Sequence, residues 1–189
     1  MLPHVLEVED AEKPGAPLLH DDMITIGIEP APESASNVAK RVEFGFGDVE
    51  KGFSEADLII EREFTTQQVH QGYIEPHACL ASVSEDGQAE LWCTTQGPFV
   101  VRNFCSKLLG FNAAQIRVTA SEIGGGFGGK TVVYLEPLAL ALSRKSCRPV
   151  KMEMNRAEVF TSSGPTSGAK IWVKIGVKNN GQITAGDCV

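Results

Sequence analysis

The sequence predicts an α+β fold in which antiparallel hairpins and a mixed sheet pack against two amphipathic helices. Three observations lead there. Short apolar runs are separated by Asp86-Gly87 and Asn180-Gly181, dipeptides that close hairpins. Segments 98–109 and 134–146 repeat apolar residues at helical rather than strand spacing. Both helical segments follow a strand-like run, so helices and strands share one core.

Composition limits what such a fold can serve. A chain of 189 residues can bury a sizeable core, and 42% hydrophobic with 22% charged residues is ordinary for a globular protein. The net charge of −7 argues against nucleic-acid or anionic-membrane partners, which select for basic excess. The opening run MLPHVLEVEDAEKPG has neither a basic n-region nor an apolar h-region, and no stretch approaches the length of a membrane span. Cys79, Cys93, Cys105, Cys147 and Cys188 form no CxxC pair, which fits neither zinc nor an iron–sulfur cluster. An odd number of scattered thiols points to a reducing cytoplasm, with the cysteines packed as small core hydrophobes.

In chain order, residues 1–47 show little periodicity, and Pro3, Pro14, Pro17, Pro30 and Pro32 punctuate them as an extended entry segment. A short turn or helix at 48–56 and a strand at 58–66 follow. Strands at 78–84 and 89–95 flank the Glu85-Asp86-Gly87-Gln88 turn. Gly97-Pro98 opens the first helix, since glycine is acceptable at the N-cap and proline suits the first helical position. Val101, Cys105, Leu108 and Leu109 are its expected buried face, and Gly110 ends it. A strand at 115–120 precedes a glycine-rich loop. Leu135, Leu138, Ala139 and Leu142 mark the second helix, with Pro137 tolerated in its first turn. Residues 149–154 read as a strand. The alternation of Ile171, Val173, Ile175 and Val177 predicts one more, paired through Asn180-Gly181 with 182–189.

The loop at 121–131, SEIGGGFGGKT, is the candidate site. Five of its eleven residues are glycine, so its backbone can press against a ligand where a Cβ would clash. It joins a strand end to a helix start, where unpaired backbone N–H groups favour an anion. A packing turn is the simpler alternative. Gly124, Gly129, Lys130 and Thr131 also spell G-x-x-x-x-G-K-T, the nucleotide-binding P-loop. In that reading Lys130 contacts phosphates and Thr131 holds magnesium. Against it, only 59 residues follow Lys130, with a single aspartate, Asp187, inside a hairpin. A P-loop domain needs further βα units and an aspartate ending an apolar strand.

The run Trp92-Cys93-Thr94-Thr95-Gln96-Gly97-Pro98, followed by helix, strand and Gly124-Gly125-Gly126-Phe127-Gly128-Gly129-Lys130, resembles the molybdenum-binding large subunit of the xanthine dehydrogenase and aldehyde oxidase family. GDVEKGFSEAD at 47–57, IEPHACLA at 74–81 and RPVKMEMNRAEVF at 148–160 fit the same resemblance in the same order. It implies a molybdopterin cofactor approached by Gly125, Gly126, Phe127 and Gly128, with Phe127 and Thr131 on the substrate side. Gln96 takes the place of a glutamine that hydrogen-bonds an oxo ligand of molybdenum, so it is not itself a metal ligand. A side-chain amide there can donate to an electron-rich oxygen without adding charge.

The resemblance further implies hydroxylation of an aldehyde or N-heterocycle with water-derived oxygen, electrons leaving through iron–sulfur centres to flavin or another acceptor. The family's general base is a glutamate in a motif expected beyond Val189, so no catalytic residue is assigned in this chain. Residues 1–47 resemble the end of an α/β-hammerhead domain and its linker, and 48–189 the N-terminal part of the molybdopterin-binding domain. A piece of a larger subunit is therefore expected, as a truncated frame or an expressed fragment, inactive and without bound cofactor when isolated. Its expected partners are the rest of the molybdenum subunit and iron–sulfur and FAD subunits or domains, with no nucleic acid and no membrane insertion. Purine-oxidising members carry glutamate where Thr131 stands, and a hydroxyl cannot supply that charge-assisted contact, which disfavours xanthine.

Weaker groups read as structure. HQGYIEPH, with His70, Glu75 and His77, has a proline break and no helical i, i+4 pairing, so it reads as a loop near the active-site funnel rather than a metal site. Lys170, Lys174 and Lys178 mark an exposed strand face, and Arg102 and Lys107 face solvent. Two other function classes stand beside the oxidoreductase: a P-loop nucleotide binder and a non-catalytic interaction module.

Overall fold

The computed structural model describes residues 3–189. In chain order the elements are α1 (Val8–Ala11), α2 (Val49–Ser54), β1 (Leu58–Thr66), β2 (Ala78–Val83), β3 (Ala89–Cys93), α3 (Pro98–Leu109), β4 (Ile116–Ala120), α4 (Glu136–Ser146), β5 (Val150–Glu153), α5 (Arg156–Ser162), β6 (Ala169–Val177) and β7 (Ile183–Cys188). They form two compact units, one comprising residues up to Gln67 with Gly168–Val189, the other Gln68–Ser167. The architecture is α+β, as the hairpin and helix patterns predict.

The second unit carries the candidate site. Its sheet has the order β4-β3-β2-β5, with β3 and β4 parallel and the other neighbours antiparallel. Side chains alternate across a strand, so Ala89, Leu91 and Cys93 of β3 and Cys79 and Ala81 of β2 point to one buried face. Val101 and Cys105 of α3 and Ala139 and Leu140 of α4 join them in one core with Ile116 and Phe111. Trp92 and Leu80 alternate to the other face and are partly exposed. Gly110 closes α3 in the left-handed conformation at φ 70°, as a C-terminal glycine should.

In the other unit β1, β6 and β7 form an antiparallel sheet in that order, with the long pairing Leu58↔Val177 through Thr66↔Ala169. Asp48 caps α2 by accepting from the Lys51 amide. The described residues before Asp48 hold only α1 and a single bridge, Ile26↔Lys40.

Several expectations are corrected. Leu108 is exposed, because the buried stripe of α3 follows the i, i+4, i+8 ridge of Val101, Cys105 and Leu109, while Val100, Phe104 and Leu108 lie along the adjoining ridge. The second helix starts at Glu136 rather than Tyr134 and buries Glu136, Ala139, Leu140 and Ser143, leaving Leu138 and Leu142 exposed. Polar residues on the inner face misdirect the apolar pattern. Their groups are satisfied locally: the Glu136 carboxylate accepts from the Tyr134 amide at 2.8 Å, and Ser143 Oγ donates to the Arg148 carbonyl at 2.8 Å and accepts from the Val83 amide at 2.9 Å. Burial raises the Glu136 pKa, against the lowering effect of the Tyr134, Glu136 and Leu135 amides. Cys79, Cys93 and Cys105 are buried as expected, but Cys147 and Cys188 are exposed at the C-cap of α4 and the end of β7. Arg102 is only partly exposed, stacked over Phe99, and Lys174 lies over the Phe53 ring. Two helices are unforeseen: the four-residue α1 in the entry segment, and α5, which is held by an Asn155/Glu158 capping box, legible as N-x-x-E.

Candidate active site

Parallel pairing of β3 with β4 decides where the site lies. Cys93 is opposite Ala120, so both chains leave the sheet at the same edge, β3 into Thr94, Thr95 and Gln96 and β4 into the glycine loop. Carboxyl ends of parallel strands are where connecting loops gather around ligands. Two segments separated in sequence by α3 therefore meet, and the Gln96 amide donates to the Lys130 carbonyl at 2.9 Å.

The Gln96 side chain is held by the loop. Its Oε1 accepts from the amides of Gly128 at 3.0 Å and Lys130 at 3.2 Å. It does not cap its own turn. With Oε1 engaged, the Nε2 group has no hydrogen-bond partner among the described residues. Gly126 permits the approach, since a Cβ there would stand 2.5 Å from Gln96 Oε1. Gly128 serves differently: nothing surrounds its missing Cβ, but its φ of +86° favours glycine. A Gly129 N–H to Gly126 carbonyl bond of 2.7 Å closes the tip. The amides of Gly125, Gly126 and Phe127 have no hydrogen-bond partner among the described residues. Phe127 itself is 73% exposed at φ 50°, an uncommon conformation for a bulky side chain. The Thr131 hydroxyl donates to the Gly128 carbonyl at 2.9 Å.

Beneath the loop lies a polar cluster that sequence reasoning read only as a loop. Lys130 is buried, and its Nζ donates to Glu75 Oε2 at 2.8 Å. The same Glu75 oxygen accepts from the Gly124 amide at 2.8 Å, and the Glu75 amide donates to the Gly124 carbonyl. Burial works to raise the Glu75 pKa. The Lys130 hydrogen bond, the Gly124 amide and the Lys130 charge outweigh it and keep the carboxyl below its ordinary range. Tyr73, almost fully buried, lies under Lys130 with Nζ 5.0 Å from its ring centre.

Tyr73 Oη lies 2.7 Å from His77 Nε2 and 3.2 Å from Ser163 Oγ. His70 Nδ1 accepts from the Gly72 amide, which makes Nε2 the protonated nitrogen, 3.0 Å from Ser163 Oγ. Burial, and next the Lys130 charge, push the His77 pKa down to about 4, so it is neutral at pH 7. Arg156 of α5 binds the carbonyls of Tyr73 and Ile74. His70, Glu75 and His77 are thus engaged with Ser163, Lys130 and Tyr73 respectively, and the described residues contain no cluster of three or more His, Cys, Asp and Glu that could hold a metal ion. The one signal for this cluster in the sequence is Pro76, which keeps the backbone of the preceding Glu75 out of a helix.

The model of the molybdopterin cofactor-binding domain matches residues 31–189. The chain belongs to this family. It is 28% identical to the probable hypoxanthine oxidase XdhD of Escherichia coli (strain K12) over 98% of its own length and 22% of that protein. It is 33% identical to the xanthine dehydrogenase/oxidase of Mus musculus, covering 90% of this chain and 13% of the relative. Reconstituted CO dehydrogenase from Oligotropha carboxidovorans superposes with a TM-score of 0.78 at 28% identity, across 100% of this chain and 24% of that one. The chain therefore spans no more than about a quarter of the length of these relatives.

Membership in the molybdopterin-binding family agrees with the loop's chemistry and not with the P-loop pattern. A P-loop lysine must reach phosphates, whereas Lys130 has a side chain 0% exposed and is paired with Glu75. No described helix is long and apolar enough to cross a membrane.

Proposed function

We propose that the glycine loop and Gln96 form one wall of a molybdopterin site in a molybdenum-dependent oxidoreductase of the xanthine dehydrogenase and aldehyde oxidase type, hydroxylating an aldehyde or N-heterocycle with water-derived oxygen. One observation carries the reading: Gln96 Oε1 is consumed by two loop amides, which leaves Nε2 as a donor with no partner among the described residues. The group fits the donor set. Nε2 and the amides of Gly125, Gly126 and Phe127 offer hydrogen bonds to electron-rich oxygens, and Glu75, the nearby carboxylate, is neutralised by Lys130. A cluster of hydrogen-bond donors of this kind suits an anionic, oxygen-rich cofactor.

In this reading Gly125, Gly126, Phe127 and Gly128 bring backbone against the cofactor, and Gln96 donates to an oxygen bound to its metal without ligating the metal. When bound, the cofactor supplies the two-electron redox and oxygen-transfer chemistry. Phe127 and Thr131 face the substrate side, and the exposed Phe127 ring offers an apolar surface for a planar substrate. Residues 1–47 serve as linker and the end of a preceding α/β-hammerhead-like domain, and 48–189 as the N-terminal part of the cofactor domain. Iron–sulfur and FAD domains or subunits and the rest of the molybdenum subunit are its partners, in a reducing cytoplasm where the thiols stay unpaired.

The test is expression of the chain within its full reading frame, with molybdenum and pterin measured in the purified protein. Both are expected to co-purify, and Gln96→Leu is expected to lower turnover roughly 10²-fold, the size of losing one preorganised donor. Protein free of molybdenum and pterin would overturn the reading.

A further inference from the structure

We propose that Glu75 and Lys130 are a positioning pair, which decides which end of the Gln96 carboxamide is presented to the ligand. The inference rests on the reading of Gln96 as a donor. A glutamine side chain has an acceptor end and a donor end of nearly equal shape, so rotation about its last bond exchanges them. Something must choose.

The choice is made through Lys130. Its backbone N–H meets Gln96 Oε1 at 3.2 Å, and its carbonyl accepts from the Gln96 amide at 2.9 Å and from Thr95 Oγ1 at 3.1 Å. A flipped carboxamide would set an NH₂ group against the N–H groups of Gly128 and Lys130, replacing two attractive contacts with repulsive ones. The orientation is thus as secure as the position of the Lys130 backbone. That position is fixed at the other end of the residue, where the buried ammonium meets Glu75 Oε2 at 2.8 Å and the Pro76 carbonyl at 3.5 Å.

The same Glu75 oxygen holds the Gly124 amide. One carboxylate therefore ties both ends of the 124–130 loop, and Gln96 Oε1 fills its interior. The lysine that completes the G-x-x-x-x-G-K-T pattern acts as a clamp, reaching away from the ligand face. Its charge is matched by Glu75 inside the chain.

The test uses the 189-residue chain, labelled with ¹⁵N, and compares Glu75→Gln, Lys130→Met, the double substitution and Gln96→Glu. Glu75→Gln and Lys130→Met are expected to raise hydrogen exchange at the Gly128 and Lys130 amides about ten-fold, the scale of one lost hydrogen bond. The Gln96 Nε2 resonances should broaden as both amide orientations become populated, while Leu91 in the core strand keeps its exchange rate. The double substitution removes the unpaired buried charge, so it should recover thermal stability without recovering loop protection. A purely structural pair would recover both together, and that result overturns the proposal. So would Glu75→Gln with wild-type loop exchange and Gln96 signals; if that variant fails to fold, Glu75→Asp carries the same comparison. Gln96→Glu keeps the acceptor oxygen and loses the donor, so it should retain loop protection. In the full reading frame, undiminished cofactor content and turnover for Gln96→Glu with an intact loop would sink the donor reading and leave the positioning pair standing. Loss of loop protection in Gln96→Glu would instead sink the positioning pair.

Discussion

At the scale of single residues, the site depends on groups whose charge is settled inside the chain. His77 is 2% exposed, and its pKa falls from 6.5 to about 4. A buried imidazole that must stay neutral contributes nothing adverse above its unfolded pKa. It destabilises as pH drops from about 6.5 towards 4, after which both states are protonated and the loss levels off. The span amounts to about 3 kcal/mol. Unfolding free energy should decline across that window, and His77→Gln should remove the decline; a variant with the wild-type slope would assign the effect elsewhere. Glu75, held below its ordinary range, acts in the same direction but lower, its stabilisation being lost as pH falls through its folded pKa.

At the scale of elements, the helices separate what periodicity reads well from what it misreads. Helix existence, the Pro98 start of α3 and its Gly110 stop follow from local chemistry, and the two hairpins follow from their turn dipeptides. Which ridge of a helix is buried is not local. In α3 two i, i+4 ridges are apolar, and in α4 the buried ridge includes Glu136 and Ser143, which become acceptable only because Tyr134, Arg148 and Val83 supply partners. Mutation should separate the ridges. Leu140→Ala, at a fully buried position, should cost about 2–5 kcal/mol in denaturant unfolding. Leu108→Ala, 63% exposed, should stay within about 0.5 kcal/mol. Equal losses would contradict the placement of the core.

At the scale of the molecule, several large apolar side chains of the second unit remain exposed. Phe99, Val100, Phe104 and Leu108 of α3 and Leu138 and Leu142 of α4 are all exposed. A helix that is apolar on more than its core face ordinarily finds a cover. The isolated chain should therefore associate at raised concentration, and Phe104→Lys with Leu108→Lys should shift sedimentation towards monomer without lowering the unfolding midpoint by more than a few degrees. Unchanged association would show that this face is not responsible.

Fold class, the hairpin turns and the limits of α3 were legible from residue order, because each rests on near-neighbour chemistry: a turn dipeptide, a first-turn proline, a terminal glycine. The pairing of Gln96 with the glycine loop was implied only by the family resemblance, and it is the parallel pairing of β3 with β4 that brings the two together. Glu75, Tyr73, His77 and Ser163 were not legible as a support for that loop. They come from β2's approach and the end of α5, and only parallel pairing of β3 with β4 brings the loop over them. The tertiary structure alone also decided what Lys130 does. Its place in G-x-x-x-x-G-K-T says that a cation follows the loop, but whether that cation meets a ligand or a buried carboxylate depends on which segment packs beneath it, and here Glu75 does.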